Sequence, residues 1–176
     1  MVFLEIKMQE DVVVPFRKLT FAGLPPREVI LNLLKQIYGR KASEDHGYYI
    51  AVTSQNTIFE LQINEVTGDV FFPVYFNCTT VKPCIGEILI GTVTTILESG
   101  IFLNSGPIKD IYLSKIMMGG YENSFTDEPM FIKVKGLSYM KKGTKVRFRV
   151  FNKKWIERFK KINVTATILG DYLGPL

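Results

Sequence analysis

Ile88-Leu89-Ile90-Gly91-Thr92-Val93-Thr94-Thr95-Ile96-Leu97, Gly100-Ile101-Phe102-Leu103-Asn104 and Ile108-Lys109-Asp110-Ile111-Tyr112-Leu113 are three short apolar runs with turn residues at Gly100 and Gly106-Pro107. Runs of this length, rich in β-branched and aromatic residues, read as consecutive strands. Two more are expected at Lys145 to Phe151 and Ile162 to Leu169, with Gly143 in a turn. Between the third and fourth lies Lys115 to Thr144, too long for a simple turn and carrying Gly119, Gly120, Asn123 and Pro129. An ordered or half-ordered excursion is expected there.

Five strands with a long connection after the third, and no long helix, fit a small Greek-key barrel of the OB type. Before Lys82-Pro83 the texture differs. Met1 to Pro15 reads as a strand, with Val2, Leu4 and Ile6 alternating against Phe3, Glu5 and Lys7. A helix is expected from Pro25 or Pro26, because proline suits a first turn. Val29, Ile30, Leu33, Leu34, Ile37 and Tyr38 recur at helical spacing up to a stop at Gly39. Strands follow at Gly47 to Thr53, Ile58 to Ile63 and Asp69 to Val81, with turns at Gln55-Asn56 and Thr67-Gly68-Asp69. Pro73 cannot donate to a ladder and marks an edge strand or a bulge. The fold class is therefore α+β followed by all-β: a βα-meander domain over residues 1–82, then a barrel domain over 83–176 with an insertion at about 115–144.

Charge is unevenly spread. Twelve of the 22 Lys and Arg residues fall between Lys133 and Lys161, where the only acid is Glu157, so this segment carries +11 and the rest of the chain about −6. Within it Lys145, Arg147 and Arg149 alternate with Val146, Phe148 and Val150, which puts the cations on one side of a strand. Lys153 and Lys154 extend the run. Phosphate is the natural ligand of a cationic sheet face, and a solvated or protein-docking face is the alternative. Phe102 and Tyr112, on the second and third barrel strands, are stacking candidates for unpaired bases. Tyr112 has a polar tip suited to a surface, whereas Phe102 could equally plug the barrel core, and Phe148 and Trp155 are expected to pack inward or cap the barrel end.

Catalytic chemistry finds little support. His46 beside Glu44 and Asp45 reads as a turn residue, Asp127-Glu128 is a local acidic pair, and Gly119-Gly120 lacks the Lys-Ser or Lys-Thr of a phosphate-binding loop. Cys78 and Cys84 lack the spacing of a zinc site, and one histidine cannot complete four ligands. No metal, cofactor or small-molecule substrate is expected. Neither is a membrane span or a signal peptide, since no apolar run is long enough and Glu5, Lys7, Glu10 and Asp11 interrupt the first residues. The expectation is a soluble intracellular binding or assembly protein.

Gly86-Glu87-Ile88-Leu89-Ile90-Gly91-Thr92-Val93, Gly100-Ile101-Phe102, Gly106 and Ile111-Tyr112-Leu113-Ser114 resemble the OB-fold RNA-binding repeat named after ribosomal protein S-one. With the preceding half and the ending Gly170-Asp171-Tyr172-Leu173-Gly174, the whole chain resembles the seventh subunit of eukaryotic nuclear RNA polymerases, the larger member of a two-subunit stalk, akin to its archaeal counterpart. Gly47 to Thr53, Phe72-Pro73-Val74, Gly106-Pro107-Ile108 and Gly170 to Leu176 look closer to the plant paralogues serving RNA polymerases IV and V than to the polymerase II form. The resemblance implies a non-catalytic nuclear role in small-RNA production, RNA-directed DNA methylation and gene silencing. A general polymerase II stalk subunit acting in transcription initiation, or a free-standing OB-fold RNA-binding factor, are the alternatives.

It also implies partners and contacts. An RNP-like N-terminal half would dock on the largest subunit and clamp-base subunits through tip loops. By position these are Leu19 to Pro26, including Leu19, Leu24 and Pro25, and Gln62 to Asp69, including Glu65, Thr67, Gly68 and Asp69. The fourth subunit would pack along both halves, with the strand around Pro73 to Cys78 available as an edge. The barrel would guide nascent single-stranded RNA. Ser99 replaces a familiar aromatic before the glycine turn and Tyr112 stands where histidine is frequent, so weak, sequence-tolerant RNA contact is expected.

Overall fold

The computed structural model describes residues 1–15, 26–40, 42–58, 62–124, 128–134 and 138–176. Two compact units emerge: Phe3–Val81, and Met1–Val2 together with Lys82–Leu176. The expected tip segment with Leu19, Leu24 and Pro25, and Asp127 of the acidic pair, lie outside the described residues.

In the first unit β1 (Phe3–Val14) pairs antiparallel along its whole length with β5 (Val70–Val81), from Phe3 opposite Val81 to Val14 opposite Val70. α1 (Pro26–Arg40) begins at the proline that pre-sets its first turn and runs one residue past Gly39. It buries Val29, Leu33 and Ile37, spaced one turn apart, against Val12, Val14, Val70, Phe72, Val74, Phe76 and Cys78. Each such side chain contributes about 1.5 to 3 kcal/mol when removed from water. Ile30 and Tyr38 stay exposed, so the buried stripe is narrower than the apolar periodicity. Burial also pushes the Cys78 thiol above its usual pKa.

Two expectations about this sheet are corrected. Its order is β1-β5-β3-β2, with β2 (Ala42–Ser43), β3 (Gly47–Ile58), and β4 (Gln62–Ile63) beside β5. The strand carrying Pro73 is therefore interior, not an edge. Its missing donor is tolerated because the ladder on that side passes from Val74, opposite Ile58 of β3, to Phe71, opposite Gln62 of β4, leaving Phe72 and Pro73 between. Gln55-Asn56 is not a turn. β3 runs through it, and the register slips between Gln55 and Thr57 absorb the extra residue as a bulge.

The second unit holds β6 (Ile88–Leu97), β7 (Gly100–Ser105), β8 (Ile108–Ser114), β12 (Lys145–Ile156) and β13 (Lys161–Thr167) in the order β13-β8-β7-β6-β12, and β12 also pairs with β13, which closes the ring. The closing contact, Thr165 and Ala166 beside Tyr112 and Leu113, is parallel. Val93, Ile101, Leu103, Ile111, Leu113, Val146, Phe148, Val150, Ile162, Val164 and Ala166 fill the interior. The 115–144 connection opens with a 3-10 turn (Lys115–Met118) and then forms its own antiparallel sheet of β9 (Tyr121–Ser124), β10 (Met130–Lys133) and β11 (Tyr139–Lys141) over buried Phe131 and Met140. β14 (Gly174–Pro175) adds to β12 at Val146 and Arg147.

Gly100 starts β7 where its Cα passes close to β8: an added Cβ would stand 2.4 Å from the Leu113 carbonyl oxygen and 3.0 Å from Ser114 Cα. Gly39 has nothing within 4 Å of such a Cβ. Gly100→Ala is expected to cost about 1 to 3 kcal/mol through overpacking against backbone. Gly39→Ala should gain about 0.5 kcal/mol from reduced unfolded-state entropy. Urea denaturation of the two variants checks both signs.

Candidate nucleic-acid interface

β7 and β8 turn alternate residues inward, with Ile101, Leu103, Ile111 and Leu113 fully buried, so Phe102 and Tyr112 are left on the outer face. They sit directly opposite in the ladder with ring centroids 5.3 Å apart and planes tilted by 47°. The Tyr112 hydroxyl donates to the Ser99 carbonyl at 3.0 Å and fixes the ring. A cleft of about 560 Å³ opens beside them, lined by Leu97, Ser99, Asp110, Lys161, Asn163 and Thr165 among others. Asp110, in left-handed conformation at φ 58°, is held by its N–H donating to Asn104 Oδ1 at 3.1 Å, and its carboxylate meets Lys161 Nζ at 3.1 Å.

β12 shows the alternation expected of Lys145 to Val150. Val146, Phe148 and Val150 are buried, Lys145 and Arg149 exposed, and Arg147 is half-buried with its guanidinium donating to the Tyr172 carbonyl at 3.4 Å. Beyond Val150 the simple period fails. Phe151 is an extra residue: Val150 faces Ala166 but Asn152 faces Thr165, and the bulge reverses the parity of everything after it. Lys154, opposite exposed Asn163, therefore shares the outer face with Lys145, Arg147 and Arg149. Lys153, opposite buried Val164, turns to the other side and donates from Nζ to the Pro83 carbonyl at 2.8 Å.

Register also places the two chemistries relative to one another. Phe102 faces Tyr112, Tyr112 lies beside Thr165, and Thr165 faces Asn152, a lateral row across β7, β8, β13 and β12. At about 4.8 Å per strand, Tyr112 lies about 10 Å and Phe102 about 14 Å from the cationic strand along the same outer surface. On its other side β12 is bordered by β6, where Ile90 opposite Arg147 and Ile88 opposite Arg149 are 50% and 49% exposed. Sequence periodicity does not pick out this apolar stripe, because β6 reads as uniformly apolar.

Glu157, the one acid of the basic segment, is occupied locally. Lys160 Nζ bonds to it, and the Trp155 indole N–H donates to it at 2.6 Å. Trp155 is half-buried beside this pair. In the first unit, the turn with Glu65, Thr67, Gly68 and Asp69 is closed by hydrogen bonds to Asn64. Asn64 Oδ1 accepts from the N–H of Val66 and of Thr67, Gly68 N–H donates to Asn64 O at 2.8 Å, and Gly68 adopts φ 72°. Val66, 93% exposed between Glu65 and Thr67, stands at this turn and was not among the residues singled out from sequence. His46 lies in the turn before β3, its N–H donating to Ser43 Oγ.

Two β-rich units, one of them a closed barrel with a cationic and aromatic outer face, define a protein built for binding and assembly. No family model matches the chain. It is 37% identical to RNA polymerase V subunit 7 of Arabidopsis thaliana, over 99% of this chain and 98% of the relative. Against RNA polymerase IV subunit 7 of the same plant it is 37% identical over 98% and 99%, and against RNA polymerase II subunit 7, 30% over 84% and 82%. The chain belongs to the subunit 7 family of DNA-directed RNA polymerases, accessory stalk subunits distinct from the catalytic ones.

Hydrogen bonds from Lys160 and then from Trp155 hold the Glu157 carboxyl below the ordinary glutamate range. A carboxyl lowered on folding favours the folded state above its unfolded pKa, and that preference fades as pH falls through the folded value. Trp155 is the single tryptophan. Its fluorescence should titrate with a midpoint below the usual glutamate value, and Glu157→Gln should abolish the step.

Proposed function

We propose that this chain is the stalk subunit of a plant-type RNA polymerase IV or V, serving in small-RNA production, RNA-directed DNA methylation and gene silencing in the nucleus. The observation that carries the choice of polymerase is the higher identity, over nearly the whole chain, to the polymerase V and IV relatives than to the polymerase II one. In this reading the first unit is the RNP-like tip that docks on the core near the clamp, and the second is the OB-fold barrel of the S-one type. The turn around Val66 and the segment with Leu19, Leu24 and Pro25 make the docking contacts.

The barrel guides nascent single-stranded RNA. Phe102 and Tyr112 offer a stacking shelf, and Lys145, Arg147, Arg149 and Lys154 neutralise phosphates along the same face. Lys153 drops out of this set, since the bulge turns it to the other side of the strand, where its Nζ donates to the Pro83 carbonyl. The fourth stalk subunit, expected at the strand around Pro73, is better placed elsewhere. That strand is interior, and the exposed stripe of Ile88 and Ile90 is an apolar surface suited to a protein.

Mass spectrometry of nuclear proteins copurifying with the tagged chain tests the assignment. Recovery of a fourth stalk subunit with the largest subunit of polymerase IV or V is the expected result, and recovery of the polymerase II largest subunit alone would refute it. Ile88→Ser with Ile90→Ser should release the fourth subunit while leaving RNA affinity intact. Replacing Lys145, Arg147 and Arg149 by Ala should flatten the log-log salt dependence of RNA binding by about 2 units, from about 0.7 per phosphate contact on single strands. An unchanged slope would assign that strand to protein.

A further inference from the structure

The cationic strand leads to a second cleft at its far end. About 520 Å³ in volume, it is lined by Ser138, Tyr139, Lys141, Thr144, Lys145 and Pro175, with Leu176 at its margin. Lys145 thus belongs both to the phosphate-facing strand and to this cleft. Tyr139 is 52% exposed. Its place is fixed from below: neighbouring Met140 is fully buried, and β11 is held to β10 through Ile132 opposite Tyr139 and Met130 opposite Lys141. Lys141 is anchored through its backbone, its N–H donating to Thr144 Oγ1 at 3.1 Å, and Lys142 is exposed beside it. Among the described residues lining the cleft, no side chain is acidic; Glu122, on the far strand of the same small sheet, lies two strands away in the row of Tyr139 and Ile132.

We infer that Tyr139 is a second stacking platform for single-stranded RNA, with Lys141 and Lys145 holding the adjoining phosphates. The inference rests on the reading of the barrel as an RNA guide and extends it beyond the Phe102 and Tyr112 shelf. Counting the bulge, Asn152 and Lys145 are six strand steps apart, about 20 Å. A strand of RNA lying along β12 has an aromatic face at each end and cations between, the combination that sequence-tolerant single-strand binders use. An exposed ring without cations would suit protein as well as RNA. Three lysines at the cleft and its rim, continuous with the cationic strand, favour the polyanion.

Binding of the intact chain to an unstructured RNA of about 16 nucleotides, long enough to span both ends, tests this. Tyr139→Ala should weaken binding about fivefold to a hundredfold. The salt slope should stay unchanged, because no charge is removed. Tyr139→Phe should restore affinity, and Lys141→Ala should lower the slope by about 0.7. A Tyr139→Ala variant that changed the slope as much as Lys141→Ala would indicate collapse of the small sheet and count against a stacking role. Wild-type affinity in Tyr139→Ala, with Tyr112→Ala impaired, would overturn this inference alone. Absence of RNA binding by the unmodified chain at low salt would overturn it together with the RNA-guiding reading.

Discussion

Closure of the barrel depends on one short parallel contact, Thr165 and Ala166 of β13 beside Tyr112 and Leu113 of β8. The other pairings in the ring are antiparallel and connect strands whose outer edges would otherwise be open. Closing the ring removes those edges and fixes which residues point in. Ala166 and Leu113 meet inside, both fully buried, and Thr165 and Tyr112 must then meet outside. The outward placement of the aromatic pair is thus a geometric consequence of core packing. Loss of the contact would free Tyr112 and its neighbour Phe102 from their common surface with β12.

Where local patterning and tertiary pairing agree, the fold is legible in the amino acids. The five barrel strands fall where the apolar runs place them, and α1 starts at Pro26 because proline fits a first turn. The misreadings share a cause. At Gln55-Asn56, local composition says turn, but long pairing with β5 carries β3 straight through as a bulge. At Pro73, the missing donor says edge, but β1 and β5 pair over twelve residues and the proline falls in the interval between two partners on the other side. Past Phe151, Lys153 and Lys154 both read as extending the cationic run, but a single inserted residue shifts the parity so that only Lys154 shares the outer face and Lys153 turns away. A bulge is a property of two strands together, so no reading of one strand could reveal it.

The candidate site was legible to a similar degree. Residue type and alternation point to Phe102, Tyr112, Lys145, Arg147 and Arg149, whereas Val66, Ile88, Ile90 and Tyr139 are singled out only by their exposure in the fold. Exposure follows from what other elements fail to cover. The 115–144 connection is the clearest case. Its length and turn-rich composition indicate an ordered or half-ordered excursion but not its form; Phe131 and Met140 are buried under a small sheet, and that sheet presents Tyr139 beside Lys145.

Charge on β12 then sets the character of the binding. Glu157 is engaged by Lys160 and Trp155 and does not offset the outer cations, while Arg147 is partly held by the Tyr172 carbonyl and Lys153 by Pro83. The outer cations are few and lie in a row, and in the proposed role each would add a salt-dependent increment without reading base identity. In that role, cations this few would hold RNA only weakly at physiological salt. Fixation within the polymerase beside emerging transcript would supply a high effective concentration, so that modest stacking and a handful of phosphate contacts would suffice to steer a strand. Weak and sequence-tolerant contact would suit the proposed guide, because RNA would have to keep moving across it.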